Sequence, residues 1–202
     1  MATTEVGTPH GPARVHLSAP ASPRAAVMLG HGAGGGVGAK DLVATAEVAQ
    51  ALGLAVVLVE QPYRVAGRRA PAPARQLDAA WTAVAAELRA SVLAGLPLVV
   101  GGRSSGARVA CRTAADVGAA AVLCLAFPLR TPGRPDRPSR LPELEQVTVP
   151  VLVVQGERDP FGMPPPGPGR QVVTVAGDHS LAKDVPAVRA AVEEWLTEVL
   201  PG

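Results

Sequence analysis

Short apolar runs recur along this chain, separated by stretches in which hydrophobic and polar residues follow helical spacing. RAAVMLG (Arg24 to Gly30), LAVVLVE (Leu54 to Glu60), LVVGG (Leu98 to Gly102), AAVLCLAFP (from Ala120), VPVLVVQG (from Val149) and RQVVTVAG (from Arg170) are rich in Val and Leu and read as strands. The intervening pattern predicts helices over Ala39 to Leu52, over Ala74 to Ala94 with Gly95-Leu96-Pro97 as its stop, and from about Ser105. DVPAVRAAVEEWLTEVL predicts a closing helix, with Asp184 as cap and Pro186 in its first turn. ARVHLSAP near the start alternates weakly and predicts an edge strand. Strands without apolar–polar alternation, spaced by helices, imply an α/β fold: a mostly parallel central sheet with helices on both faces. Ligands gather at the carboxyl ends of the strands in such sheets, so the informative residues should lie just after each one.

Four strand ends carry chemistry. HGAGGG follows the first long strand, GRSSG the third, ERDPFG the strand ending at Gly156, and DHSL the strand after that. GRSSG has the form G-x-S-x-G, in which Ser104 occupies a strained strand-to-helix elbow with its hydroxyl exposed. Ser104, Asp159 and His179 then share one sheet edge in the chain order Ser, Asp, His. As a catalytic set, Ser104 attacks an acyl carbon, His179 takes and returns the proton, and Asp159 orients and stabilises the imidazolium. The oxyanion so formed needs amide donors, and the backbone N–H groups of Ser105 and Ala33 are the candidates. Asp178 is the rival acid, disfavoured because sequence neighbours rarely face each other side chain to side chain. His31 is expected to brace the oxyanion loop, while His10 and His16 look incidental. GHGAGG also spells G-x-G-x-x-G, with Glu60 placed as a ribose-binding acid. That dinucleotide reading leaves Ser104, Asp159 and His179 without a purpose.

Composition narrows the picture. Of the 202 residues 48% are hydrophobic, yet aromatics are only 2%, so core volume must come from Ala, Val and Leu. There is no Ile and no Asn, and only Lys40 and Lys183 are lysine, a bias that fits a GC-rich bacterial gene. A net charge of +2 without a basic, aromatic-interleaved run gives no sign of a nucleic-acid partner. Cys111 and Cys124 lie in apolar segments without metal-ligand spacing and read as buried thiols. The first residues do not resemble a signal peptide and no apolar stretch reaches membrane-span length, so a cytoplasmic protein with no membrane partner is expected. The whole chain, 1–202, reads as one domain, with 1–23 a peripheral N-terminal segment.

GHGAGG, QPYRVAGRRAPAP, GGRSSGARVA, FPLRTPGRPDR, PVLVVQGERDPFG and GDHSL together resemble small α/β-hydrolases akin to dienelactone hydrolase. Within these, the likeness is greatest to the family holding testis-expressed protein 30 and the non-specific-lethal chromatin complex subunit 3. It covers Val27 to about Leu200 and implies a capless α/β-hydrolase fold with Ser104, Asp159 and His179 as its triad. It also implies that Ser105 stands where a methionine is common, making the oxyanion site roomier. Read this way, the chain is a cofactor-free serine hydrolase, an esterase on a small acyl substrate. Relatives that serve as chromatin scaffolds keep a non-catalytic binding role as the alternative. The segment between Phe127 and Val149 is too short and Pro/Arg-rich for a helical cap, so an open site for short acyl groups is expected. Around it stand Arg64, Arg68, Arg69, Arg103, Arg130 and Arg134. Arg64 and Arg103, with Tyr63, are the candidates for binding an anionic part of the substrate.

Overall fold

Parity along each apolar run decides which layer a side chain enters. In strand β3 (Ala26–Gly30), Val27 and Leu29 face one way and Ala26 and Met28 the other; in β4 (Ala55–Glu60), Val56 and Leu58 oppose Val57 and Val59. The two sets belong to two separate cores, so unbroken Val/Leu runs suit a sheet covered on both faces. The computed structural model describes residues 1–200. The remaining strands are β1 (Ala2–Val6), β2 (Ala13–Ser18), β5 (Leu98–Arg103), β6 (Ala121–Leu125), β7 (Val151–Gly156) and β8 (Arg170–Val175). They form one eight-stranded sheet in the order β1-β2-β4-β3-β5-β6-β7-β8, antiparallel at β1/β2 and β2/β4 and parallel elsewhere. The helices are α1 (Lys40–Ala51), α2 (Pro62–Val65), α3 (Ala74–Arg89), α4 (Ser105–Thr113), α5 (Leu141–Glu145) and α6 (Val185–Val199). α1 and α6 cover one face; α3 and α4 cover the other.

Three expectations change. The strand at ARVHLSAP is not an edge, because β1 pairs along its outer side from Ala2↔Leu17 to Val6↔Ala13. ATTEV carries no apolar alternation, and four of its five residues are exposed, so only pairing makes it a strand. His16 is not incidental either. Its Nε2 lies 2.6 Å from Glu60 Oε1 and its Nδ1 lies 3.1 Å from Thr3 Oγ1, tying β2 to β4 and β1. Glu60 is thereby occupied, which removes the acid of the dinucleotide reading. α3 stops at Arg89 rather than Ala94: the Ser91 hydroxyl donates to the Glu87 carbonyl at 2.7 Å, a local bond that competes with helix propagation. At the closing helix Asp184 accepts from the Ala187 amide at 3.1 Å, the cap the sequence predicts.

The connection from β6 to β7 holds only the short helix α5. Glu143 of α5 takes a two-pronged hydrogen bond from Arg108 on α4, at 2.8 and 2.5 Å, which folds this insertion down onto α4. Cys111 and Cys124 are buried free thiols with their sulfurs 3.5 Å apart. Their hydrogen bond, aided by burial, pushes the Cys124 thiol well above the usual range.

Strand order grows in one direction up to β4 and in the other from β5, so β3 and β5 flank the switch point where α/β sheets hold their ligands. Backbones meet closely there. A Cβ on Gly102 or on Gly106 would fall far inside contact distance of the Gly30 carbonyl oxygen. Gly106→Ala must therefore push α4 away from β3, and should lower unfolding free energy by about 3 kcal/mol or more. Gly36→Ala, where nothing lies within 4 Å, should stay within about 0.5 kcal/mol of wild type. Urea titrations of the two variants check the contrast.

Candidate active site

Ser104 stands between β5 and α4 with φ 52° and ψ −106°, outside the regions open to ordinary L-residues. Such a conformation costs about 1–3 kcal/mol and persists only where surroundings enforce it. Here the Ser104 amide donates to the Leu125 carbonyl on β6 at 2.9 Å, while Gly102 and Gly106 pack against β3. Ser104 Oγ lies 3.0 Å from His179 Nε2, and His179 Nδ1 lies 2.8 Å from Asp159 Oδ2. The carboxylate holds the ring proton on Nδ1, so Nε2 presents its lone pair to the serine hydroxyl. Asp159 follows β7, and its side chain is 1% exposed. Its Oδ1 accepts from the Phe161 amide at 2.8 Å and its Oδ2 also accepts from Gln155 Nε2 at 2.8 Å. Phe161 lies against the imidazole, ring centroids 4.2 Å apart. The rival, Asp178, points elsewhere. Its Oδ1 accepts from the hydroxyl and amide of Ser180, bonds that hold its carboxyl below the usual range.

The loop after β3 is braced from behind. His31 is buried; its Nδ1 donates to the Gly32 carbonyl at 2.8 Å and its Nε2 accepts from the Gln61 amide at 3.1 Å. Gly35 N–H also bonds the Gly32 carbonyl, at 3.2 Å. Because a peptide is planar with C=O and N–H opposed, fixing that carbonyl also fixes the direction of the Ala33 N–H. Gly32 itself sits against the elbow: a Cβ there would stand 3.7 Å from Ser104 Cβ. Ser105 begins α4, where first-turn amides have no partner within the helix.

Two substrate candidates prove to be engaged by the protein itself. Tyr63 is buried and its hydroxyl donates to the Ala33 carbonyl at 2.8 Å, which makes it a brace of the loop rather than a substrate contact. Arg103 pairs with buried Asp41 of α1, Nε to Oδ2 at 3.0 Å, and its Nη2 donates to the His179 carbonyl at 2.9 Å. Arg64 keeps its candidacy. It has no ion pair among the described residues, and its charge acts on His31 and Tyr63 beside the loop. Gln155, Phe161 and Asp41 went unremarked in the sequence. A lone polar residue inside VLVVQG and an acid on the apolar face of α1 were the available signals for two of them. Among the described residues no cluster of three or more His, Cys, Asp or Glu could hold a metal ion, and no helix is long and apolar enough to cross a membrane.

Comparison with known proteins bears on this arrangement. The profile of the alpha/beta hydrolase domain matches residues 23–187. The chain belongs to this family. Its fold is that of an α/β serine hydrolase without lid from Xanthomonas campestris, at TM-score 0.79 with 22% identity over 100% of this chain and 95% of that one. Est1E from Butyrivibrio proteoclasticus superposes at TM-score 0.79 with 16% identity, over 100% of both chains. A dienelactone hydrolase from Anabaena variabilis gives 0.76 with 20% identity, over 98% of this chain and 97% of that one. No curated protein sequence matches the chain.

In this α/β hydrolase the brace at His31 is also a pH-sensitive element of stability. Burial, the largest influence, lowers its pKa from 6.5. Below that value the unfolded imidazole takes up a proton that the native one refuses, so stability falls with pH until the lower native value is passed. The residue's share approaches about 1.4 kcal/mol per pH unit inside that window. Replacing it with glutamine, which can make both hydrogen bonds but does not titrate, should flatten the acid limb. Urea midpoints of wild type and His31→Gln at about pH 7.5 and about pH 5.5 compare the two slopes; parallel slopes would contradict this account.

Proposed function

We propose that the protein is a serine hydrolase that cleaves carboxylic esters through an acyl-enzyme. The observation that carries this reading is the unbroken hydrogen-bonded line from Ser104 Oγ through His179 to buried Asp159 at the sheet's switch point. Ser104 supplies the nucleophile. As its oxygen attacks the acyl carbon, its proton passes to His179 Nε2, and the imidazolium is stabilised by Asp159 through Nδ1–H. The same proton then goes to the departing alkoxide, and water repeats the sequence in reverse to release the acid. The developing oxyanion is met by the Ser105 amide at the start of α4, where the helix dipole also favours negative charge, and by the Ala33 amide. A scaffold that merely kept the hydrolase shell would have no use for a strained serine aligned on a histidine. The dienelactone hydrolase and the esterase-named Est1E share the fold and fit the reading.

Removing the nucleophile and removing its neighbour should differ sharply. Ser104→Ala should lose about 10⁴-fold or more in turnover and all labelling by a fluorophosphonate probe, whereas Ser105→Ala keeps its amide and most activity. Asp159→Asn can turn an amide N–H toward His179 and favour the wrong tautomer, so it should cost about 10⁴-fold. Asp178→Asn should cost no more than about tenfold, since that carboxylate serves only the Ser180 turn. Steady-state kinetics with a chromogenic acetyl ester rank the four; similar losses at Ser104 and Ser105, or at Asp159 and Asp178, would refute the roles assigned.

Substrate size follows from the packing of α5 onto α4. With no cap over the serine, little apolar surface is available to bury a long chain. Acetyl and butyryl esters should be cleaved far better than dodecanoyl esters. Arg64, without an ion pair among the described residues, suits a substrate carboxylate, for which a guanidinium is a planar two-pronged donor. An ester carrying a carboxylate should outperform its neutral isostere at low salt, and Arg64→Ala should erase that advantage while sparing the neutral ester. A preference for dodecanoyl esters, or equal rates for charged and neutral isosteres, would contradict the respective half.

A further inference from the structure

Three loops must hold register for the chemistry proposed above: the elbow, the oxyanion loop after β3, and the histidine loop after β8. The histidine loop runs from the end of β8 to the start of α6. It turns through Gly177 at φ 128° and Leu181 at φ 52° before α6 begins. Its backbone rests on the end of β7, where a Cβ on Gly156 would strike the Asp178 carbonyl, and the Arg158 amide bonds the Gly177 carbonyl at 2.9 Å. Arg103 adds a side-chain contact to this backbone, at the His179 carbonyl.

Arg103 is the last residue of β5 and directly precedes the nucleophile, yet its side chain points into the protein and is only 19% exposed. Each part of the guanidinium meets a different element. Nε faces Asp41 at the first turn of α1, Nη2 donates to the carbonyl of His179, and Nη1 lies 2.9 Å from where a Gly32 Cβ would stand. The oxyanion loop is thus glycine at Gly32 because the guanidinium occupies the space beside it. Asp41 is fully buried and its Oδ1 accepts from the Leu42 amide at 2.9 Å. Burial pushes its carboxyl up, and the Arg103 charge works against that push.

We infer that Arg103, anchored by buried Asp41, is a positioning residue that clamps the His179 loop to the oxyanion loop across the nucleophile elbow. The inference rests on the serine-hydrolase reading. It reassigns Arg103 from substrate recognition to holding Nε2 of His179 in line with Ser104. A lysine cannot replace it, since an ammonium is a point charge without the planar fork needed to reach the Asp41 carboxylate on α1 and the His179 carbonyl together. A clamp acts on the geometry of the reacting groups and so on kcat; a substrate contact acts on KM.

The test uses two variants that avoid leaving a lone buried charge, a change that can unfold a protein. Arg103→Lys keeps the charge beside Asp41, and the double variant Asp41→Asn/Arg103→Gln neutralises both partners. With a neutral acetyl ester, both should lose about 10- to 100-fold in kcat while KM stays within about twofold, the effect of a misplacement of about 1 Å. The second readout needs no activity. The chain has four histidines, so ring carbon–proton spectra of histidine-labelled protein resolve each, with His179 assigned by its loss in His179→Gln. In both variants the His179 signal should shift while those of His10 and His16 stay in place. An unmoved His179 signal overturns the clamp, as does a loss that falls in KM rather than kcat. If wild type turned over no ester and took no fluorophosphonate, the hydrolase reading would fail, and the His179 signal would still decide whether Arg103 holds that loop.

Discussion

Gly30, Gly102 and Gly106 bring three stretches of backbone closer together than any side chain would permit, and the site is built around that approach. Gly30 ends β3, Gly102 lies near the end of β5, and Gly106 opens α4, so the contact locks strand, elbow and helix into one unit. Ser104 sits inside this unit with a positive φ that an isolated turn would relax. The strain is held because relaxing it would require α4 to leave the Gly30 carbonyl. Trp81 closes the same contact from the α3 side, its ring 3.2 Å from where a Gly30 Cβ would lie. The sharp turn exposes the serine hydroxyl, and the close packing keeps it in one place.

Charge around the elbow is arranged so that each buried ionisable group has a stated partner. Asp159 accepts hydrogen bonds from His179, Gln155 and the Phe161 amide, while Asp41 is ion-paired with Arg103 and accepts from the Leu42 amide. His31 is handled in the opposite way: a backbone donor at Nε2 and a carbonyl at Nδ1 keep it neutral. A cationic imidazole there would have to give up the Gln61 hydrogen bond. In the proposed mechanism, neutral and paired groups at these positions leave the Ala33 and Ser105 amides and the α4 dipole as the local field on a developing negative charge. That field requires no reorganisation during the reaction, which is where electrostatic catalysis gains most.

The architecture was legible because parallel strands buried on both faces must be largely apolar, and β3 to β7 are, apart from Glu60, Arg103 and Gln155. Their order along the chain then put Ser104, Asp159 and His179 at one edge without any coordinates. β1 was not legible: ATTEV has no apolar period, and its strand state comes from pairing with residues 13–17. Tyr63 and Arg103 were found as unusual residues, but their partners within the protein were not. A sequence shows that an arginine adjoins the nucleophile; whether it faces solvent or Asp41 depends on how α1 packs, a contact between positions far apart in the chain. His16 and Glu60 illustrate the same limit, since their meeting depends on β2 running antiparallel to β4.

Scarcity of large side chains shapes the rest. With no isoleucine and few aromatics, the cores are filled by Ala, Val and Leu, which pack closely but offer little to hold a loop in a single orientation. The aromatic residues are spent where orientation counts. Trp81 backs Gly30, Tyr63 holds the Ala33 carbonyl, and Phe161 lies on the His179 ring. The Phe127 carbonyl receives Gln155 Nε2, which also binds Asp159. The Phe127 and Trp195 rings stand apart, in the cores on the two faces of the sheet. Elsewhere small residues suffice because regular structure sets the geometry. At the site, where three loops converge, geometry has to come from rigid rings, a planar guanidinium and glycine backbones in contact. The aromatic rings have few rotations to freeze, whereas ordering the arginine and the glycines costs more entropy, which their hydrogen bonds and close packing offset.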